Sequence, residues 1–262
     1  MPSNFKIHSD NEINTTTQIA VNINTSSVVN MYDRDTTTSY ATTGYGGSTA
    51  TTITWTAAAA TPISRIYLQN CNFGQFEIYY NGTTTNVFNP AISNNSATAS
   101  DMYFEFATVT VSSVSLKITN TYPLNAEKRV AEIYIGDEKL EFTRNPNSDN
   151  YSPIYYRKGQ DMEMSDGGMV SVFLESKFRA DITLNYISES NTSQFRSLWN
   201  EHFPFVFMPF PSANIYLAGT TTTWNGSAYE VSFLGDLDIL KFSSNVRGNG
   251  FDVSISLAET PN

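Results

Sequence analysis

Cysteine, histidine and charged residues are all scarce in this 262-residue chain, and each scarcity excludes a class of protein. The single cysteine, Cys71, cannot form an intramolecular disulfide, so the fold does not depend on an oxidising compartment. Its neighbours in the sequence, Asn72 and Phe73, are typical of a half-buried thiol and not of a catalytic nucleophile.

The two histidines, His8 and His202, are the only residues that could serve as the base for a serine or cysteine nucleophile. His8 lies near the N-terminus, and His202 lies at the end of a predicted helix, where a histidine is more often structural than catalytic. No Gly-x-Ser-x-Gly, His-Glu-x-x-His, Cys-x-x-Cys or glycine-rich phosphate motif occurs. We therefore expect a protein that is not an enzyme.

Charged residues make up 15% of the chain, and the net charge is −10. Lysines and arginines are scattered apart from Arg157-Lys158, so the basic patch that binds nucleic acids or anionic membranes is missing. Apolar runs fall short of the ~20 residues of a membrane span, and the N-terminus lacks the pattern of a signal peptide. We expect neither a nucleic acid nor a membrane as a partner.

Strand signals dominate what is present. Hydrophobic residues make up 40% of the chain, and short alternating or β-branched runs recur between turn residues. The clearest runs in the first half are Gln18–Ile23, Thr49–Trp55, Ile63–Leu68, Phe76–Tyr80, Met102–Val111, Val114–Thr119 and Val130–Ile135. This spacing predicts an all-β protein with a jelly-roll-like sandwich at its N-terminus.

Residues 143–153 interrupt the strand pattern with two prolines, three asparagines and almost nothing to bury. They predict a linker between an N-terminal domain, 1–142, and a C-terminal domain, 154–262. The C-terminal domain has further strand patterns at Asp181–Ile187, Phe205–Met208, Tyr229–Leu234, Leu237–Phe242 and Phe251–Leu257. We expect it to be a β-sandwich or barrel-like domain that contains one helix.

The helix is predicted near residues 191–202 by an apolar stripe at spacings of three and four. The stripe consists of Phe195, Leu198, Trp199 and His202. Ser190, Asn191 or Thr192 can serve as its N-cap, and Pro204 helps to end it. Such a stripe is more often packed on a sheet than used to bind a ligand.

A polar loop offers the candidate metal ligands Asp33 and Asp35. Carboxylate and backbone oxygens from one loop suit Ca²⁺. The alternative is a turn in which the aspartates accept backbone hydrogen bonds and Arg34 pairs with one of them. Glycoside hydrolysis would need two carboxylates on facing elements, which the sequence alone does not reveal.

Tyrosines follow in the same polar stretch. Tyr40 and Tyr45 lie among Thr, Ser and Gly, and a tyrosine offers a flat apolar face and a hydroxyl to a sugar or a protein. The alternative is that they fill the end of a sandwich. The candidate ligand-binding residues are Asp33, Arg34, Asp35, Tyr40 and Tyr45.

Six segments of the N-terminal half follow a familiar order. They are MYDRDTTTSYATTG, TTITW, ISRIYLQNC, FEIYYNG, SLKITNT and VAEIYIGDE. This order resembles a discoidin-type (F5/8 C-like) galactose-binding β-sandwich over residues 15–140. The resemblance implies ligand binding at loops on one end of the sandwich and a structural Ca²⁺ at the acidic loop, which Asp33 and Asp35 match. Paired cysteines are absent, however, and Tyr40 stands where a tryptophan is often found.

Three segments of the C-terminal half, FRSLWNEHFPFVFMPFP, YEVSFLGDLDILKF and GNGFDVSISLAE, suggest a second resemblance. A helix, a proline-flanked strand, a strand pair and a terminal strand ending near Glu259 are similar to β domains of tailed-phage tail and baseplate proteins. The acidic, Thr/Asn-rich and cysteine-poor composition agrees with a virion protein made in the host cytoplasm.

From the two resemblances we predict a structural virion protein, a tail-tip or baseplate component that forms a symmetric ring with copies of itself and with other tail proteins. The N-terminal sandwich would be an outward decoration or binding module, with no cofactor other than the Ca²⁺ considered above. The alternative is a carbohydrate-binding, lectin-like protein whose partner is a cell-surface glycan. The third hypothesis is a glycoside-acting enzyme that uses Asp or Glu.

Overall fold

A computed structural model describes residues 4–9, 11–35, 37–44, 46, 49–82, 92–93, 101–146, 148–163, 169–201, 204–209, 228–244 and 248–259. Strands predominate, so the predicted all-β class with a minor helical part is confirmed. Among the described helices, none combines the length and the hydropathy that crossing a membrane requires.

The described residues form two compact units. The first contains those up to Lys139 together with 208–209, and the second contains those from Leu140 to Phe207 and from Ala228 onward. Within the interval 143–153 the structure has a 3-10 helix, Ser148–Asn150, followed by the start of a strand at Tyr151. The linker assigned to this interval stays a prediction.

The first unit consists of short strands around two long ones. Its strands are β1 (Lys6–His8), β2 (Ile19–Val21), β3 (Tyr40–Ala41), β4 (Thr51–Gln69), β5 (Phe73–Tyr80), β6 (Ile92–Ser93), β7 (Met102–Thr121), β8 (Arg129–Val130), β9 (Glu132–Gly136) and β10 (Glu138–Glu141). Its 3-10 helices are Thr16–Gln18 and Thr25–Met31. The main sheet has the order β2-β4-β7-β5-β6, β9 also pairs with β4, and β3 pairs with β8 in a small second sheet.

Strands β4 and β7 each join two strands that the sequence predicts separately. The joined pairs are Thr49–Trp55 with Ile63–Leu68, and Met102–Val111 with Val114–Thr119. The register of β4 on β7 shifts between Thr56 and Thr61, so the alanines Ala57–Ala60 form a bulge. A bulge bends a strand without ending it, which explains why the alternation is lost there while the strand continues.

The sheets of the first unit enclose a hydrophobic core, to which alternate residues of β4 contribute as the sequence predicts. Ile53 and Trp55 are both buried in it. Cys71 is fully buried instead of half-buried, and burial raises the pKa of its thiol to about 12. The thiol is therefore protonated near neutral pH and serves as a core residue.

In the residues that the structure describes, the second unit consists mainly of strands and contains an α-helix, as predicted. Its elements are β11 (Tyr151–Glu163), β12 (Met169–Ile187), α1 (Glu189–Glu201), β13 (Phe205–Met208), β14 (Tyr229–Phe233), β15 (Asp238–Ser244) and β16 (Gly248–Glu259). The strands run in the order β13-β14-β16-β12-β11, and β15 pairs with β16 as well. On β16, Val253, Ile255 and Leu257 alternate into the core.

Helix α1 begins at Glu189, slightly before the predicted position. The Oγ of Ser188 accepts the backbone N–H of Asn191 at 3.2 Å, so Ser188 is the N-cap and the three residues proposed for that position are inside the helix. Phe195 of the predicted stripe is buried and meets Phe142 edge-on, with ring centroids 5.2 Å apart. His202 lies outside the described residues.

Candidate functional site

The predicted Asp33-Arg34-Asp35 loop is a turn closed by its own aspartates. Asp33 accepts the N–H of Asp35 at 3.0 Å and the hydroxyl of Thr38 at 2.7 Å. Oδ1 of Asp35 accepts the N–H and the hydroxyl of Thr37, at 2.9 and 2.6 Å. Arg34 has a φ of 66°, a left-handed conformation that residues other than glycine seldom adopt. Both carboxylates therefore bond to the loop itself, the arrangement expected of aspartates in a turn.

A calcium ion at Asp33 and Asp35 stays a prediction. In the part of the chain that the structure describes, no group of three or more His, Cys, Asp or Glu side chains is arranged to hold a metal ion. Backbone and hydroxyl oxygens also bind Ca²⁺, so the loop needs a direct test.

Tyr40 is buried in the core of the first unit. It pairs with Val130 between β3 and β8, and its hydroxyl donates to the carbonyl of Ile23 at 2.5 Å. Burial raises the pKa of Tyr40 to about 12. Its ring therefore fills the sandwich, which was the alternative to a binding role, and Tyr45 lies outside the described residues.

A different candidate site lies at a second bulge, which is in β7 and faces Ser64 of β4. Ile63 pairs with Val109, but Arg65 pairs with Glu105, so the residues 106–108 of β7 lie opposite Ser64 alone. A cleft of about 390 Å³ opens over this bulge, a size in the range of small-molecule sites. We call it the bulge cleft; its lining residues are Ser64, Arg65, Glu105, Phe106, Ala107, Thr108, Asp137 and Glu138.

Two cations and two carboxylates form a network at the floor of the bulge cleft. The Nζ of Lys6 lies 2.9 Å from Glu105 and 3.2 Å from Glu138. The Nη2 of Arg65 lies 3.0 Å from Glu105 and is also paired with Glu138. The side chains of Lys6 and Arg65 are 5% and 7% exposed, whereas those of Glu105 and Glu138 are 20% and 26% exposed. The carboxylates therefore lie nearer to solvent than the cations that balance them.

Backbone carbonyls fix the guanidinium of Arg65 from the other side. Its Nη1 donates to the carbonyl of Ser64 at 2.8 Å and to that of Phe106 at 3.3 Å. Burial lowers the pKa of Arg65, but Tyr103, Glu105 and Glu138 raise it overall above its ordinary value, so the group stays charged. Its Nε is buried and has no acceptor among the described residues.

The rim of the bulge cleft carries hydroxyl groups and one further carboxylate. Ser64 Oγ donates to Oδ1 of Asp137 at 2.5 Å and accepts the N–H of Glu138 at 3.1 Å. The hydroxyl of Thr108 lies 3.5 Å from the same oxygen of Asp137. Phe106 is half-buried, packs against the core and forms an apolar wall. The cleft thus combines fixed polar groups with one aromatic ring.

Two charged residues within apolar strands indicate this site in the sequence, although no motif does. Arg65 interrupts the apolar run of β4, and Glu105 interrupts that of β7. A charged residue inside a buried strand requires a partner of opposite charge. Each of these residues therefore predicts a nearby partner of opposite charge. Only the register of β4 on β7 shows that Arg65 and Glu105 are those partners.

No protein-family model matches the chain, and no curated protein matches it. Among solved structures, a variant of chitosan-binding module 1 from a chitosanase/glucanase of Paenibacillus sp. IK-5 is similar at 14% identity, covering 49% of this chain and 99% of that module, with a TM-score of 0.39. The CpGH89CBM32-6 module of Clostridium perfringens is similar at 16% identity, covering 48% and 98% of the two chains, with a TM-score of 0.36.

A longer chain with the CBM32-1, CBM32-2 and M60 catalytic domains of Clostridium perfringens ZmpB is similar at 10% identity. The match covers 97% of this chain and 36% of that one, with a TM-score of 0.40. The strands themselves confirm the predicted β-sandwich in the N-terminal half, and CBM32 modules, which are discoidin-like, are among the structures it resembles. At these identities and TM-scores the likeness says nothing of what the chain binds.

These findings correct the function predicted from the sequence. The prediction of a phage tail-tip or baseplate protein that forms a ring with other tail proteins is wrong, because the similar structures are carbohydrate-binding modules or chains that contain them. The resemblance of the C-terminal half to phage-tail domains is likewise unsupported. Abundant Thr and Asn suit many β proteins, so composition was too weak a guide to a virion.

Proposed function

We propose that the protein binds carbohydrate without catalysing a reaction, and that the bulge cleft is its sugar site. The observation that carries the proposal is the cleft itself, in which polar side chains held by buried ion pairs adjoin the half-buried ring of Phe106. Sugar hydroxyls both donate and accept hydrogen bonds, so a sugar site needs both kinds of group in fixed positions.

The bulge cleft supplies both kinds. Glu105, Asp137 and Glu138 offer acceptor oxygens, and the hydroxyls of Ser64 and Thr108 can donate or accept. Because the ion pairs and backbone contacts already hold these groups, little side-chain entropy is lost when a sugar binds. Phe106 adds an apolar surface for the C–H face of a sugar ring.

The surroundings of the carboxylates support binding over hydrolysis. A glycosidase acid sits in apolar surroundings that favour its protonated form. Glu105 and Glu138 instead contact the same two cations, Lys6 and Arg65. His8 is fully buried, and burial, followed by Arg65 and Lys6, holds its pKa well below the ordinary value, so it offers no base to a surface nucleophile.

The proposal is tested by titrating the full chain with soluble oligosaccharides in a calorimeter. A suitable panel contains chitosan oligosaccharides, pectin fragments and GalNAc-β-1,3-galactose, the sugars in the names of similar modules. We expect binding of at least one sugar, and an affinity about tenfold lower for Phe106→Ala because the apolar wall is lost.

The matched control is Tyr80→Ala, which removes a half-buried aromatic residue that packs against the same core but does not line the cleft. Its affinity should equal that of the unmodified chain. The proposal fails if no sugar of the panel binds, or if Phe106→Ala and Tyr80→Ala bind equally well.

A further inference from the structure

We infer that the bulge cleft selects sugars that carry an ammonium group, a choice of ligand that rests on the proposed function. Four charged side chains line the cleft: the carboxylates of Glu105, Asp137 and Glu138 and the guanidinium of Arg65. Lys6 adds a second cation beneath them. The two cations balance the two glutamates, so the charge of Asp137 is left over.

Asp137 is placed to receive a cation. Its backbone is fixed by Ser9, which donates its N–H to the carbonyl of Asp137 at 2.9 Å and accepts the N–H of Asp137 on its Oγ at 3.1 Å. Oδ1 accepts the hydroxyl of Ser64, which orients the carboxylate. Among the described residues, Oδ2 of Asp137 accepts no hydrogen bond, and no cation lies within ion-pair distance of this side chain. An ammonium that donates to Oδ2 would form a charge-assisted hydrogen bond.

The burial of the cations makes the opposite ligand unfavourable. An acidic sugar would need Arg65 or Lys6, but both are nearly inaccessible. The Nη atoms of Arg65 are already bonded to two carboxylates and two carbonyls. A uronic acid or sulfated sugar would instead meet the more exposed carboxylates, which repel it. The net charge of −10 adds a long-range attraction for cationic ligands.

The test compares oligosaccharides of equal length that differ in charge: glucosamine, N-acetylglucosamine and galacturonic acid oligomers, each titrated into the full chain. We expect the glucosamine oligomer to bind about tenfold more tightly than the neutral one, the size of one charge-assisted hydrogen bond. The galacturonic acid oligomer should bind most weakly. Raising the salt concentration from about 0.1 M to about 1 M should remove most of the preference, because it shortens the Debye length.

Asp137→Asn isolates the carboxylate, since the amide oxygen can still accept from Ser64. It should lower the affinity for the glucosamine oligomer about tenfold and leave that for the neutral oligomer unchanged. Asp101→Asn is the matched control, because it removes the same charge from the first unit outside the cleft. It should leave both affinities unchanged.

The outcomes separate this inference from the proposed function. Equal affinity for neutral and amino sugars, or an Asp137→Asn variant that behaves like Asp101→Asn, overturns the selection of an ammonium group and leaves sugar binding intact. Failure of all three oligomers to bind overturns the selection of an ammonium group, and the proposed function fails with it if GalNAc-β-1,3-galactose does not bind either.

Discussion

Arg65 on β4 and Glu138 at the start of β10 form an ion pair although they are 73 residues apart in the sequence. The same guanidinium binds Glu105 on β7, so one side chain joins three strands. Lys6 on β1 contacts both glutamates and joins a fourth. The floor of the bulge cleft is therefore both a candidate binding surface and a connection between distant parts of the chain.

Arg65→Met should lower the free energy of unfolding by about 3 kcal/mol, because it removes a buried cation and leaves two half-buried carboxylates with one cation between them. Urea unfolding measures the change. The control is Arg129→Met, since Arg129 is 60% exposed and lies 3.5 Å from Glu127, and its loss should cost under about 0.5 kcal/mol. If the two variants are equally stable, the network does not hold the fold together.

His8 should make the protein less stable as the pH falls below about 6.5, the ordinary pKa of a histidine in the unfolded chain. Burial lowers the pKa of folded His8. Below the unfolded pKa the unfolded chain therefore binds a proton at His8 that the folded chain does not bind. The resulting loss of stability is absent above the unfolded pKa and grows as the pH falls below it. At pH 5.5, one pH unit below the unfolded pKa, the loss should be at most about 1.4 kcal/mol.

The variant His8→Gln tests this through the slope of stability against pH. It removes a ring that lies 3.1 Å from the sulfur of Met208, so its stability at pH 7 is expected to fall. The fall between pH 7 and pH 5.5 should nevertheless be smaller than in the unmodified chain, because the proton uptake by His8 is gone. An unchanged slope would show that other groups cause the pH dependence.

Strand positions were predictable from the sequence because alternation needs only local information. Ile53 and Trp55 are spaced for one face of a strand, and both are buried. The joining of two predicted strands into β4 was not predictable, since Ala57–Ala60 lack alternation and a bulge resembles a break. The residue that caps α1 was not predictable either, because it depends on where the preceding strand ends.

The candidate site depends on a register between distant strands, which a single sequence does not reveal. Arg65 and Glu105 meet because β7 has a bulge opposite Ser64, and no motif marks that bulge. The sequence around Tyr40 has a composition typical of a binding loop, yet the ring of Tyr40 lies in the core. Local chemistry therefore gave the strands, whereas the cleft required the register of β4 on β7 and the position of β10 beside them.

Ser188→Ala should destabilise the second unit by about 1 kcal/mol, because the N-cap bond to the N–H of Asn191 is lost. The matched control is Ser190→Ala. Ser190 lies inside α1 and is exposed, and alanine favours a helix, so this variant should be as stable as the unmodified chain or slightly more stable. Thermal unfolding of both variants provides the measurement. Equal loss in both would contradict the assignment of Ser188 as the cap.

Asp33→Ala should destabilise the first unit by about 1 to 2 kcal/mol without any metal, because Asp33 accepts the N–H of Asp35 and the hydroxyl of Thr38. Those bonds close the turn without a metal ion, so we expect the same melting temperature in EDTA and in millimolar Ca²⁺. A bound ion would instead stabilise the folded state in proportion to the logarithm of its concentration. A melting temperature that rises with Ca²⁺ in the unmodified chain, but not in Asp33→Ala, would establish the loop as a calcium site and contradict this expectation.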